Sequence, residues 1–266
     1  MISGLIIYSK ADKDKNAWFI NRCIERFAEN DVKLIYQDND RVLDYVKNNK
    51  IDFAIYRSRD YQIVEKLESL GIKCFNNSLT NKIANDKYLS YQFLNERNIP
   101  CLKSNLSSDK LECPFIMKTT DGHGGQEVYL INSLDEIEKY QKNDKKYIYQ
   151  NFYKNSGDLR VYVLNKKVIG CVLRNNNNDF RSNFSLGGKI TAYEPEQSIL
   201  DKAIQIAKLL DSSYIGVDFL KVDNEWLVNE IEDPVGARML YKAYGIDAAS
   251  LLVEHILCEI SNKSQL

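Results

Sequence analysis

At 266 residues and a formal net charge of −1, the chain can form two compact units and has no charge excess that would favour nonspecific nucleic-acid binding, although a local basic groove stays open. A composition of 44% hydrophobic and 27% charged residues is that of a globular protein, and no apolar run approaches the roughly 20 residues of a membrane span. The first residues, MISGLIIYSKADKDKN, lack the layout of a secretory signal. The six cysteines (Cys23, Cys74, Cys101, Cys113, Cys171 and Cys258) form no C-x-x-C pair, so reduced structural thiols in a cytoplasmic protein are expected.

Residues 1–78 alternate between strand and helix patterns. Leu5–Tyr8 reads as a buried strand, and Asn16 can cap a helix on which Ala17, Ile20, Cys23, Ile24, Phe27 and Ala28 recur at helical spacing. Val32–Tyr36, Ile51–Tyr56 and Lys73–Phe75 read as strands. Val42–Asn48 and Tyr61–Leu70 read as helices, the second ending at Gly71. Such alternation predicts a small open, mostly parallel sheet, with ligands beyond its C-terminal strand ends. Arg57 and Arg59 fall just there. They read as a solvated loop, with a clamp for an anionic substrate as the alternative.

Asn76–Thr80 reads as a boundary. Beyond it, Asn85 or Asp86 caps a helix that stops before Pro100, with Lys87 at its start, where a cation gains nothing from the helix dipole. Pro114–Thr119 is a strand ending in Lys118, and Glu127–Ile131 is the return strand. The loop between them, TTDGHGGQ, offers Gly122, Gly124 and Gly125, whose exposed N–H groups can close over phosphates. It is no Walker motif, and a loop without ligand has the same composition. Ser133–Glu136 is a candidate capping box, and Tyr147–Tyr153 an apolar strand.

Asp158, Leu159 and Arg160 open a strand that continues as Val161–Leu164 and returns as Val168–Leu173, closed by Arg174. DFRSNFSLGG (179–188) shows no periodicity yet carries Arg181, Asn183 and a Gly-Gly pair, residues suited to anion contact or to a polar surface loop. Leu200–Leu210 is an amphipathic helix, and a final helix runs from about Asp247 to Ile260.

Between these helices GVDFLKVDNEWLVNEIEDPVGAR (216–238) reads as a β-hairpin bearing Asp218, Glu230 and Glu232. Glu230 and Glu232 share a face. A three-residue loop, Asp223–Glu225, brings Asp218 opposite Glu230; a two-residue turn would put it opposite Asn229. The three-residue register is the expectation, and three carboxylates on one face then suit a hard cation such as Mg²⁺. A solvated acidic face remains the alternative.

The order of these parts resembles the ATP-grasp superfamily, and within it the RimK-like branch, whose members form amide bonds with ATP. The resemblance covers nearly the whole chain and is carried most by DFRSNFSLGG, GVDFL (216–220) and NEIEDPVG…GIDAA (229–249). It implies an α/β (α+β) ATP-grasp fold: an N-terminal parallel-sheet domain over 1–78, then an ATP-grasp domain over 79–266 with a lid lobe near 110–152 and a C-terminal lobe near 153–266. It also implies that Lys87 and Lys118 contact ATP phosphates under a lid formed by 121–125. Gln150, Asn151, Phe152 and Tyr153 would flank adenine, and Asp158 the ribose. Arg160, Arg174, Arg181 and Asn183 would serve the phosphates or the reacting carboxylate.

Asp218, Glu230 and Glu232 would then hold two Mg²⁺, with Mn²⁺ as a substitute. Three departures stand out. The branch's usual Gln-Glu of the adenine strand is Gln150-Asn151 here, its usual E-x-N is Glu230-Ile231-Glu232, and the run of small residues after the metal ligands is DPVGARMLY, which places Arg238 near the acceptor. Arg57, Arg59 and Arg238 are the candidate substrate arginines. The activity implied is an ATP-dependent carboxylate–amine ligase acting on an amino acid or peptide. A phosphotransferase or a non-catalytic nucleotide-binding module on the same fold are the alternatives. No membrane or nucleic-acid partner is expected, and a homo-oligomer is left open.

Overall fold

The computed structural model describes residues 2–125, 127–153, 158–175 and 189–263. Its first unit is a four-stranded parallel sheet of order β2-β1-β3-β4, with β1 at Ser3–Tyr8, β2 at Lys33–Asp38, β3 at Phe53–Tyr56 and β4 at Lys73–Phe75. The helices are α1 (Lys10–Lys13), α2 (Ala17–Ala28), α3 (Val42–Asn48) and α4 (Tyr61–Ser69). Helix α2 buries Phe19, Ile20, Cys23 and Phe27 on one face. Asn16 precedes α2 but does not cap it: its side chain donates to Asp12 O at 2.8 Å instead.

The segment read as a boundary, Asn76–Thr80, runs into a helix. Asn77 caps α5 (Ser78–Ala84), and Asn76 is buried. Asp86 caps α6 (Lys87–Glu96), accepting from the Tyr88 and Leu89 N–H groups.

The second sheet is antiparallel, of order β6-β5-β7, with β5 at Phe115–Thr119, β6 at Val128–Ile131 and β7 at Tyr147–Asn151. Between β6 and β7 lies α7 (Glu136–Tyr140). It begins later than the capping-box reading, because Ser133 makes no side-chain cap; Glu136 alone reaches back, accepting from Asn132 N at 2.8 Å.

The third sheet is antiparallel with order β10-β9-β8-β11-β12: β8 at Asp158–Leu164, β9 at Lys167–Asn175, β10 at Lys189–Ala192, β11 at Tyr214–Val222 and β12 at Glu225–Glu232. Helix α8 (Gln197–Leu209) packs Ile199, Ala203, Ile206 and Ala207 against one face. The other face, carrying Tyr162, Val172 and Tyr214, joins the core of α2 and α10 (Ala248–Lys263). Strand β10 and a seven-residue helix, α9 (Arg238–Tyr244), had no counterpart in the sequence reading. Among the described residues no helix is long and apolar enough to cross a membrane.

The β11–β12 hairpin corrects one expectation and keeps its consequence. The turn has two residues, not three: Val222 pairs with Glu225, and Asp223 (φ 46) and Asn224 (φ 71) adopt the left-handed geometry of a two-residue hairpin turn. A bulge between Asp218 and Phe219 then leaves Asn229 without an opposite residue, so Asp218 pairs with Glu230 after all.

Candidate active site

A cavity of about 600 Å³ opens between the three sheets. One end of it is built by strand alternation. Arg160 on β8 faces Asp218 on β11, Asp218 faces Glu230 on β12, and Asp158 faces Arg174 on β9. The period of two places these five side chains on the cavity side of one sheet.

Their charges interleave. Arg160 binds Asp218 through Nε and Nη2, both at 2.7 Å, and Glu232 through Nη2 at 3.1 Å. Arg174 Nη2 reaches Asp218 Oδ2 at 2.7 Å, and Nε and Nη2 both donate to Asp158 Oδ1, Nε at 2.9 Å. Lys87 Nζ lies 3.1 Å from Glu230 Oε1 and also donates to Gly122 O. Lys118 Nζ donates to Asn229 Oδ1 at 3.2 Å. The residue left over by the bulge thus supplies a lysine's acceptor.

Burial and pairing set the protonation of the nest. Burial alone would raise the Asp218 carboxyl, but the Arg160 and Arg174 guanidiniums outweigh it and hold it down at about 2. At Asp158 and Glu232 burial wins, and both carboxyls are raised despite Arg174 and Arg160 respectively. The Lys118 ammonium is lowered to about 8, first by burial and further by Lys87, against the pull of Glu230.

Asp218, Glu230 and Glu232 each offer an oxygen within 4.8 Å of the others. An all-oxygen, anionic donor set of that size fits a hard divalent cation such as Mg²⁺. Arg160 bridges two of these carboxylates, Asp218 and Glu232, and Lys87 pairs with the third, Glu230.

The loop joining β5 to β6 closes one side of the cavity. Gly122 sits so close to Thr119 that a Cβ there would lie 2.3 Å from Thr119 Oγ1, and Gly124 (φ 67) and Gly125 (φ 75) take left-handed backbone. All three line the cavity, as do Gln150, Asn151, Phe152 and Tyr153 at the end of β7. Gln150 is buried and donates from Nε2 to Ser104 Oγ at 2.8 Å; Asn151 is exposed.

The far end of the cavity is lined by Lys15, Trp18, Phe19, Arg57, Arg238, Tyr241 and Lys242. Arg57 is buried, with Nη2 donating to Val235 O at 2.6 Å, Nε to Tyr8 OH at 3.1 Å, and the guanidinium 4.7 Å from the Phe19 ring centre. Arg238 starts α9; it is exposed and donates to Lys15 O at 2.9 Å. Arg59 stands 3.7 Å from Asp12 and is not among the lining residues. The structure therefore brings Arg57 and Arg238 to one cavity and leaves Arg59 beside it. Arg181 and Asn183 lie outside the described residues.

Some lining residues were not singled out in the sequence. Trp18 and Tyr241 are 53% and 54% exposed and meet with ring centres 5.8 Å apart. A tryptophan beside the apolar stripe of α2, rather than within it, was a readable signal. Asn229 and Glu127, which accepts from Thr119 Oγ1 at 3.0 Å, gave none, because their roles depend on the bulge and the loop closure.

Comparison with known proteins places this geometry. The family model of the RimK-like ATP-grasp domain matches residues 84–256. An uncharacterised protein of Mycoplasma pneumoniae is 30% identical over 246 residues, covering 90% of this chain and 86% of its own. A probable alpha-L-glutamate ligase of Haemophilus influenzae is 27% identical over 263 residues, covering 89% and 86%. The ATP-grasp ligase PsnB, solved with a minimal precursor, is similar in fold at TM-score 0.73 and 16% identity over 97% of this chain and 99% of its own.

Proposed function

The chain belongs to the RimK-like ATP-grasp family and is an ATP-dependent carboxylate–amine ligase; from that premise we propose that, with ATP and Mg²⁺, it joins an amino acid or peptide carboxylate to an amine through an acyl phosphate. The observation that carries this reading is the nest at the cavity floor, where Asp218, Glu230 and Glu232 share an oxygen cluster and Lys87, Lys118, Arg160 and Arg174 surround it.

A carboxylate is a poor acylating agent because its oxygen leaves badly. Transfer of the γ-phosphoryl group forms a new bond between that oxygen and phosphorus and breaks the bond to ADP. The amine then attacks the acyl carbon, the C–N bond forms, inorganic phosphate leaves and the amine loses a proton. The catalytic demand is positioning and charge neutralisation. Lys87 and Lys118 serve the transferred phosphates, and Arg160 and Arg174 orient the carboxylate ligands. Arg181 and Asn183 serve the reacting carboxylate. Gln150–Tyr153 hold adenine, and Asp158, steadied by Arg174, faces the ribose. Gly122, Gly124 and Gly125 close over the phosphates and exclude water.

Asp218, Glu230 and Glu232 would hold Mg²⁺, two ions in our reading, which when bound neutralises charge along the phosphates. At the far end Arg57 and Arg238, with Arg59 at the margin, bind a substrate carboxylate. The basic side chains of Lys15, Arg57, Arg238 and Lys242 in the lining support an anionic substrate. The three sheets support a division into an N-terminal domain over 1–78 and an ATP-grasp domain over 79–266. The cysteines, which are free thiols, support a cytoplasmic placement.

Release of ADP from ATP, screened against amino acids and short peptides in pairs with mass spectrometry of products, tests the proposal. ADP release that requires both a carboxylate and an amine, with a product one water lighter than the pair, is expected. Release with a phosphorylated product and no amide would refute it.

A further inference from the structure

The residue that follows Glu232 is also an acid, and its oxygens are turned away from the cavity. Asp233 is buried. One oxygen accepts from Asn76 Nδ2 and the other from Asn81 Nδ2, each at 2.9 Å. Both amides are anchored elsewhere. Asn76 Nδ2 also donates to Tyr214 O at 2.7 Å, while its Oδ1 accepts from Ser213 N at 2.6 Å and Tyr214 N at 2.9 Å. Asn81 Nδ2 also donates to Ser58 O at 2.8 Å.

One carboxylate thus ties together the β4–α5 junction, α5, the start of β11, the end of β12 and, through Ser58, the segment that carries Arg57 and Arg59. Two residues further on, Val235 O accepts from Arg57 itself. Among the described residues no cation lies within ion-pair distance of Asp233. Burying such a group is costly unless its hydrogen bonds are made, and for stability alone apolar replacement of the whole cluster would serve as well. Directional bonds to two separate elements supply instead a fixed geometry.

We propose that Asp233 is a positioning residue that sets the carboxylate of Glu232, and the Arg57-bearing segment across from it, at a fixed separation. This rests on the reading of Glu232 as part of the metal site. The bonds from Asn76 and Asn81 hold the end of β12, so that Glu232 meets the cation without first being ordered by it. Loosening either bond frees that strand end while leaving every cavity side chain chemically unchanged.

The test is calorimetric titration of the full chain with the non-hydrolysable nucleotide AMP-PNP over a series of Mg²⁺ concentrations. The variants are Asp233→Asn, which sets an amide donor against an amide donor, and Asn81→Ala, which removes one of Asp233's two bonds together with the bond to Ser58 O. Arg22→Ala is the control, because the 2.7 Å bond from Arg22 to Asp247 also joins the first unit to the C-terminal part of the chain, and its loss removes none of Asp233's bonds. Both test variants are expected to need about 10-fold more Mg²⁺ for half-maximal binding, the lower end of what partners orienting metal ligands commonly contribute. The control should lose thermal stability without that shift.

Mg²⁺ dependence unchanged in Asn81→Ala, or shifted equally by Arg22→Ala, would overturn the inference. If Asp233→Asn does not fold, Asn81→Ala decides alone. Failure of the wild-type chain to bind AMP-PNP at any Mg²⁺ concentration would overturn the ligase reading and this inference with it.

Discussion

Asp218 stands directly opposite Glu230 across the β11–β12 ladder, although the hairpin turns on only two residues. Counting back from a two-residue turn in a regular ladder would set Asp218 against Asn229 and send Glu230 to the opposite face. One bulged residue reverses that outcome, because a one-residue slip exchanges the two faces of a strand. The same residue, Asn229, then accepts from Lys118. A single irregularity thus assembles the acids and anchors a lysine beside them.

The two paired acids should respond differently to neutralisation. Asp218 is fully enclosed between Arg160 and Arg174, so Asp218→Asn leaves buried guanidiniums without their shared anion and should cost about 3–5 kcal/mol of stability as well as activity. Glu230 is partly exposed and pairs with Lys87 alone among the described contacts, so Glu230→Gln should remain within about 1 kcal/mol of wild type while ADP release is lost. Denaturant unfolding beside an ADP-release assay checks both. Equal loss of stability in the two variants would contradict the division.

Much of this site was legible because its parts obey local rules. The acids recur at strand spacing, the glycines interrupt two strands, and Asp86 caps the helix that Lys87 begins. What stayed hidden depends on distant partners. The turn length was misjudged because Asp223-Asn224 and Asp223–Glu225 are both plausible turns, and only cross-strand packing chooses between them. Helix α9 escaped because only two adjacent residues, Met239 and Leu240, are buried on it, which gives no helical spacing to read. Arg57 reads in sequence as a loop cation, yet Tyr8, Phe19 and Val235, which lie far from it in the chain, enclose it.

Lys118 predicts a pH dependence whose sign can be worked out. Its folded value of about 8 lies below the ordinary 10.5, so between these values the unfolded chain holds more protons and this group's contribution to stability rises with pH. Activity runs the other way, since only the charged form attracts phosphate. kcat/KM for ATP should fall about tenfold per pH unit above that value, while kcat at saturating ATP holds to higher pH because bound phosphates restore the proton. Lys118→Arg should move the fall out of the range. A flat profile of kcat/KM to pH 9.5, about 1.5 units beyond the turning point, would contradict it.

The glycine loop should be protected by nucleotide. Residues 121–125 are tied down by Lys87 at Gly122 and by the 3.0 Å pair of Asp121 with Lys145, and contribute nothing to the hydrophobic clusters. Amide exchange there should be fast without ligand and slowed with Mg²⁺ and AMP-PNP. Gly124→Ala should reduce activity, since φ 67 strains an alanine by about 1 kcal/mol even where a Cβ meets no neighbour. Equal exchange with and without nucleotide would argue that the loop is no lid.

The arginines at the far end give the sharpest division. Arg57 is locked by Tyr8, Val235 and the Phe19 ring, whereas Arg238 is exposed and bound only to a backbone carbonyl among its described contacts. A planar fork in fixed position binds a carboxylate with little loss of side-chain freedom, so Arg57 should contribute most of the clamp. Replacing it with alanine should cost about 2–5 kcal/mol in kcat/KM for the substrate carrying the carboxylate, as truncation of buried charge pairs does. Part of any loss will be structural, because Tyr8 and Val235 lose their donor. Arg57→Lys separates the two effects: it keeps the charge but not the fork, and should raise KM for that substrate while leaving nucleotide affinity near wild type. Arg238→Ala should act more weakly, and Arg59→Ala weakest, since Arg59 faces Asp12 beside the cavity. If kcat/KM for both co-substrates stays near wild type in all three alanine variants, the clamp does not exist and the far end of the cavity binds something other than an anion.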